Sequence, residues 1–262
     1  MARGARGARQ EVGWSVSGRR TSAAPTYILT AEAGPTFLQI VRRIAAEHGV
    51  RSVCDVGGGA NPVLSLADIE RLGVRYLVAD VSAPELDKTP RGYDTYHIEV
   101  GGSTIDLGGE RFDLVVSKFV AEHLADPAAF HAGVRAALRP GGRAAHYFPT
   151  LPALPFVANR LLTGRESRRL IDILMPEVRD QGGPLGKFPA YYRWCEGPTR
   201  RQYRRFASAG FAVEEYLVHV GHTYFRRFPS IQRASDAISR QLIRRPWPGL
   251  STYAAVVLRR LP

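Results

Sequence analysis

The residues of this 262-residue chain best suited to chemistry are Asp55, Gly57, Gly58 and Gly59 in the run Asp-Val-Gly-Gly-Gly-Ala-Asn-Pro, together with Asp80. Glycines that follow an apolar stretch let the backbone turn sharply and let a ligand approach closely, because no Cβ intervenes. Asn61 and Pro62 supply an N-cap and a first helical position beyond the turn. A helix start there offers unpaired N–H groups and a positive dipole end, which suit a carboxylate or a phosphate. The dinucleotide spacing G-x-G-x-x-G fits Gly57 and Gly59 but meets Pro62 at its third glycine, and no phosphate-loop run G-x-x-x-x-G-K-[ST] occurs. Asp55 would repel a pyrophosphate but can receive an ammonium group. A carboxylate and an ammonium together make an amino acid. Asp80, at the end of the next apolar run, can accept hydrogen bonds from both hydroxyls of a ribose. Either acid alone reads equally well as a turn or strand cap. Together they select an amino acid joined to a nucleoside, the chemistry of S-adenosylmethionine.

The elements that must position these residues follow from periodicity. Phe37, Ile40, Val41, Ile44 and Ala45 recur at helical spacing and stop at Gly49. Residues 51–55 read as a buried strand. A helix from Asn61 continues through Leu66, Ile69 and Leu72 to Gly73, and residues 74–79 form a second strand. Residues 93–100 and 112–117 give a third and a fourth strand. Asp126-Pro127 opens a helix with Phe130, Val134 and Leu138 one turn apart, and residues 143–148 return as a fifth strand. A helix over 199–208 and strands over 211–220 and 252–259 complete the pattern. The alternation predicts an α/β fold, a Rossmann-like, seven-stranded, mostly parallel sheet with helices on both faces. Helical insertions are expected after strand five (151–198) and between strands six and seven (221–250), on the substrate side. Residues 1–22 read as a disordered basic tail, and 23–262 as a single domain.

Composition excludes several classes. Two cysteines are too few for a disulfide scaffold and fit a reducing cytoplasm. No apolar run is long enough to span a bilayer, and the arginine-rich start lacks the apolar core of a secretory signal. No His/Cys cluster has metal spacing, so no metal is expected. The net charge of +12 is uneven: residues 1–20 carry five arginines and one glutamate, while residues 151–262 carry 19 basic and eight acidic residues. The stretch between holds 12 basic and 15 acidic residues. The basic excess therefore sits in the tail and in the later elements.

The fragments 53–62, 78–82, 112–127 and 138–148 resemble the successive motifs of class I S-adenosylmethionine-dependent methyltransferases, within the broad bacterial group that includes the ubiquinone/menaquinone methyltransferases. Phe-Asp-Leu-Val-Val-Ser, Glu122-His123-Leu124 with Asp126-Pro127, and Leu138-Arg-Pro-Gly-Gly142 are jointly specific, and the likeness covers residues 37–150. It implies that Asp55, Gly57, Gly58 and Gly59 hold the methionine part and Asp80 the ribose. Val81 then flanks the adenine, and Ser117 and Lys118 line the pocket beside the sulfonium. Relatives often carry a Gly-Asp pair after the third strand. This chain reads Val100-Gly101-Gly102-Ser103 there, with Asp106 as the available substitute.

The acceptor is less sharply marked. An activated methyl donor needs alignment and exclusion of water, and a base only where the acceptor holds a proton. His123, just past the fourth strand, is the best-placed base; Tyr191 and Tyr192 could wall the acceptor or pack the insertion onto the sheet. His222 and Tyr224 are further candidates on the lid side. The reading is a methyltransferase acting on a small molecule, on oxygen, with an anionic or lipid-like acceptor suited to the arginines and leucines between 160 and 174. Peripheral membrane contact fits the same pattern. Nucleic acid is the weaker partner, although the basic half keeps an RNA methyltransferase as an alternative. A non-catalytic cofactor-binding relative is the third reading. Oligomeric state is not indicated.

Overall fold

The computed structural model describes residues 22–30, 36–98, 109–150, 189–222, 225 and 227–262. The basic tail, Val100–Ser103, Asp106, Tyr224 and the arginine-leucine run at 160–174 lie outside them. The described elements run β1 (Thr26–Leu29), α1 (Thr36–Glu47), β2 (Ser52–Val56), α2 (Leu66–Leu72), β3 (Arg75–Asp80), α3 (Ala83–Leu86), β4 (Asp94–His97), β5 (Phe112–Lys118), a 3₁₀ turn (Ala121–His123), α4 (Pro127–Ala137), β6 (Leu138–Pro149), α5 (Arg200–Ser208), β7 (Phe211–Val220), α6 (Pro229–Arg244) and β8 (Tyr253–Arg260).

The strands join in one sheet of order β1-β7-β8-β6-β5-β2-β3-β4, in which only β8 runs antiparallel to its neighbours. Alternating helices and parallel strands give the expected α/β class. Among the described residues the strands number eight rather than seven. The addition is β1, whose four residues are too short to show a period; it exists because the outer edge of β7 would otherwise present unpaired backbone groups. Tyr203 Oη donates to Ala23 O at 2.9 Å and Ala23 N to Val213 O at 3.1 Å, which pins its approach.

Two apolar layers sandwich the sheet. Val53, Leu114, Val116, Ala145 and Val257 face α1 and α2 with Val41, Ile44 and Leu64. Cys54, Val115, Ala144, Val256 and Leu258 face the other way, with Phe130 and Val134 of α4 and Phe206 of α5. Period-two alternation thus divides every central strand between the layers. β2 and β5 are neighbours although β3 and β4 intervene in sequence, so the strand order reverses between them. Their carboxyl ends frame the crevice where open α/β sheets bind ligands.

The expected helix start at Asn61 and Pro62 is not observed. α2 begins at Leu66, where Ser65 Oγ accepts from Asp68 N at 3.2 Å and donates to Asp68 Oδ2 at 2.9 Å. Residues 61–65 stay in a loop because buried oxygens capture their amides: Val63 N donates to Asp55 Oδ2 at 2.8 Å and Leu64 N to Tyr76 Oη at 3.2 Å.

Candidate functional site

β2 delivers Asp55 to the α1/α2 face of the sheet, fully buried. Its Oδ2 accepts from Val63 N at 2.8 Å and from Tyr76 Oη at 2.5 Å, whereas its Oδ1 is buried with no hydrogen-bond partner among the described residues. Burial pushes this carboxyl up to about 6, against the pull of those two donors and of the Lys118 charge. An unsatisfied, desolvated carboxylate oxygen is costly in a folded protein and marks a place where a ligand completes the set.

The turn that follows is cut to shape. Gly57 N donates to Ala79 O at 2.7 Å, which ties the turn to β3. Gly57 has φ +75°, and a Cβ there would collide with Val120 just past β5. At Gly59, φ +31°, a Cβ would stand 3.0 Å from Asp80 Oδ2. The turn therefore lies flush against both neighbours, and Asp80 reaches across β3's end to meet it. Asp80 Oδ1 accepts from Ser82 N at 2.9 Å, and burial holds this carboxyl above its usual range. Val81 beyond it is exposed.

Lys118 ends β5 opposite the turn, and Phe119 follows it. Phe119 is 42% exposed and sits at φ +59°, a strained conformation for a bulky side chain, fixed by its N–H donating to Tyr147 O at 2.8 Å. The Lys118 ammonium lies 5.7 Å from the Phe119 ring centroid. From there an aromatic row continues across the sheet ends. Phe119 meets Tyr147 edge-on at 5.3 Å, Tyr147 stacks on Tyr253 at 5.6 Å, and His219 meets Tyr147 edge-on at 5.5 Å. Alternation puts Asp80, Asp55, Lys118, Tyr147, Tyr253 and His219 on one face, all at the same end of the sheet. His219 is fully buried, neither ring nitrogen has a hydrogen-bond partner among the described residues, and burial lowers it to about 4.

The remaining expected residues divide. Ser117 faces the other layer, and its Oγ and His146 Nδ1 are hydrogen-bonded at 2.8 Å. His123 lies beside the crevice, its Nδ1 2.9 Å from Pro189 O. A carbonyl only accepts, so Nδ1 carries the proton and Nε2 is the basic nitrogen. The Tyr191 and Tyr192 amides both donate to Glu122 O, at 2.7 and 3.0 Å. Tyr191 is exposed, whereas Tyr192 is buried in the core at φ +52°. His222 is half-buried and packs edge-on against Phe225 at 4.9 Å.

Two features escape sequence reasoning. The Glu122 carboxyl is buried with Oε2 unpartnered, and burial raises it to about 7. The Tyr147–Tyr253–His219 row comes from three distant strands. Its sequence signal is one aromatic or histidine near the site end of each strand. No group of His, Cys, Asp and Glu among the described residues could hold a metal.

Residues 54–144 match a protein family described as a methyltransferase domain. The matched span is the part of the chain whose motifs resemble class I S-adenosylmethionine-dependent methyltransferases. The donor set fits that cofactor: an orphaned buried carboxylate oxygen, a turn with no room for a Cβ, and a second acid across it. The chain is 32% identical over 124 residues to a ubiquinone biosynthesis O-methyltransferase of Cereibacter sphaeroides, a match covering 39% of this chain and 47% of the relative. A ubiquinone biosynthesis O-methyltransferase of Methylobacterium is 34% identical over 129 residues, covering 41% and 49%. The chain thus spans about half the length of the curated relatives it matches. The fold is shared with the YcgJ protein of Bacillus subtilis (TM-score 0.50, 11% identity, 86% of this chain and 98% of that one). A protein of Bordetella parapertussis also shares it (TM-score 0.50, 15% identity, 89% and 69%).

Proposed function

We propose that this chain moves a methyl group from S-adenosylmethionine to an oxygen atom of a small, apolar or lipid-like acceptor. The observation that carries this reading is the pair of acids facing one glycine turn, with Asp55 Oδ1 left without a partner. Asp55 would receive the ammonium group of the methionine part, and the turn at Gly57, Gly58 and Gly59 would admit its backbone at contact distance. Asp80 would accept from the ribose hydroxyls, with Val81 against the adenine. The cofactor supplies a methyl group already activated on a sulfonium.

The chain's own residues then have to orient the acceptor, exclude water and remove one proton. Phe119, Tyr147 and Tyr253 offer flat apolar surface on the same face as Asp55. Lys118 and Ser117 border the place where the methyl group would sit. The Ser117 hydroxyl is already engaged with His146, so its contribution is steric and through its backbone. His123 is the candidate base: its Nδ1–H donates to the Pro189 carbonyl, so Nε2 is the nitrogen that would receive the acceptor's proton. Tyr191 contributes an exposed ring, and Tyr192 anchors that segment by packing. The O-methyltransferase relatives support oxygen as the receiving atom.

The test has two stages. Titration calorimetry with S-adenosylmethionine should show one binding event per chain, and a folded sample that gives no heat ends the reading. Labelled cofactor is then offered with a panel of phenols, alcohols, amines and carboxylates. Label on the amines alone would exclude oxygen transfer.

A further inference from the structure

The stretch from Phe228 to Leu250 leaves the site end of β7, forms α6 and returns to the start of β8. Nine large apolar side chains are exposed among the described residues, and five of them, Phe228, Ile231, Ile238, Trp247 and Leu250, lie in this stretch. Ile231 and Ile238 are separated by two helical turns and share a stripe, 51% and 62% exposed. Ser239 and Ile243, a turn apart, face the body of the protein instead. Arg233, Arg240 and Arg244 line the other flank of the outer face, Arg245 follows, and Ala234 and Ala237 lie between the two flanks. All are exposed.

Charge is as one-sided as exposure. Residues 221–262 contain eight arginines and one acid, Asp236. That acid is half-buried and accepts from Gln232 Nε2 at 2.8 Å, so it does not neutralise the outer face. None of the ion pairs among the described residues involves Arg233, Arg240, Arg244 or Arg245.

We propose that the outer face of α6, with Trp247, docks on an anionic phospholipid bilayer. Guanidinium groups alone would suit RNA, an acidic protein or a lipid headgroup. Exposed isoleucines have no partner on a phosphate backbone, whereas a helix lying in a membrane interface uses both kinds of residue. Its apolar side chains enter the acyl boundary and its arginines stay among the headgroups. Tryptophan belongs at headgroup depth. A second copy of the chain is disfavoured, because that pairing would set these arginines against one another. Because α6 joins β7 to β8, docking would turn the Tyr253 and His219 end of the site toward the membrane. That consequence, delivery of a lipid-like acceptor, rests on the function proposed above; the docking itself does not.

The full chain is mixed, without cofactor, with sedimenting vesicles of phosphatidylcholine alone or with about 30% phosphatidylglycerol. The expected result is at least about tenfold stronger binding to the anionic vesicles, with a blue shift of tryptophan emission that Trp247→Phe abolishes. Arg240→Glu/Arg244→Glu and Ile231→Ser/Ile238→Ser should each weaken binding about tenfold, with circular dichroism and cofactor heat unchanged. The basic residues 1–20 are present in every variant, so their contribution cancels. Equal binding to both vesicles overturns the proposal. So does a loss confined to the arginine variant, which would mark a surface for a soluble polyanion. Should the isoleucine pair fail to fold, Trp247→Ser carries the apolar half of the test. Cofactor binding without vesicle binding removes only this proposal, and vesicle binding without cofactor heat removes only the methyltransferase reading.

Discussion

Asp113 and Asp55 lie on neighbouring strands at opposite ends of the sheet, and their surroundings differ in kind. Asp113 Oδ2 accepts from Arg51 N, Ser52 N and Ser52 Oγ, each at 3.0 Å, and its Oδ1 accepts from Arg139 at 2.8 Å. These donors hold the Asp113 carboxyl below its usual range despite burial. Glu214, at the same end of β7, takes both Arg143 and Arg259. At the other end Asp55 Oδ1, Glu122 Oε2 and both nitrogens of His219 are buried without hydrogen-bond partners among the described residues. Burial raises Asp55 to about 6 and Glu122 to about 7. Folding alone satisfies the carboxylates at one end of the sheet. The other holds them desolvated, where a bound molecule would complete them. Such a difference marks the crevice end as functional, because unsatisfied buried groups cost stability and persist where they serve another purpose.

The comparison can be broken in several ways, and the largest effect belongs to the satisfied end. Asp113→Ala should cost about 3 kcal/mol of stability, since it strands two backbone amides and an arginine. Urea melts measure this, and cofactor affinity should stay within about threefold of the parent. A large affinity loss would show that the two ends are coupled. The depressed carboxyl also sets a sign: its stabilisation is present above the ordinary carboxylate range and is lost on acidification through its folded pKa.

At the crevice end, Asp80→Ala should leave stability nearly unchanged but weaken S-adenosylmethionine about a hundredfold, the loss of charge-assisted bonds worth about 2.7 kcal/mol. Calorimetry reads it directly. A change below about threefold would remove Asp80 from the ribose. Gly57→Ala comes next, at about 2 kcal/mol of destabilisation, from a positive φ and the collision with Val120. Adding Val120→Ala should restore the steric part, and a double variant no better than the single one would contradict that contact.

The smallest expected effect is the most diagnostic of strain. Asp55 moves from 3.8 to about 6 and Glu122 from 4.5 to about 7, so the folded chain binds these protons more tightly than the unfolded one. Stability of the cofactor-free protein should therefore fall as pH rises from about 4 to 7. Glu122→Gln should flatten the upper part of that slope and add about 1 kcal/mol at pH 8. Thermal melts at pH 5 and pH 8 decide it, and an unchanged slope would mean that Glu122 is solvated.

Much of the arrangement was readable in the chain. The glycine turn, both acids and most strand limits follow from local chemistry; β7 occupies the residues expected of it, 211–220. The failures have local causes. β1 has four residues and no period, and is made by the edge it covers. Asn61 and Pro62 carry every sign of a helix start, yet Asp55 and Tyr76 take the amides that the helix would have used. The site row was hidden for a similar reason. Tyr147, His219 and Tyr253 have nothing in common until β6, β8 and β7 are laid side by side.

Residue types and spacing were enough to choose an α/β sheet and to locate a sharp glycine turn, because steric freedom at glycine and period-two burial act within a few residues. They could not say which carboxylate oxygen would lack a donor, which tyrosine of the 191–192 pair would be buried, or that α6 would leave its isoleucines uncovered. Those outcomes depend on contacts between residues far apart in the chain, and they emerge only when strands and helices have packed and excluded water.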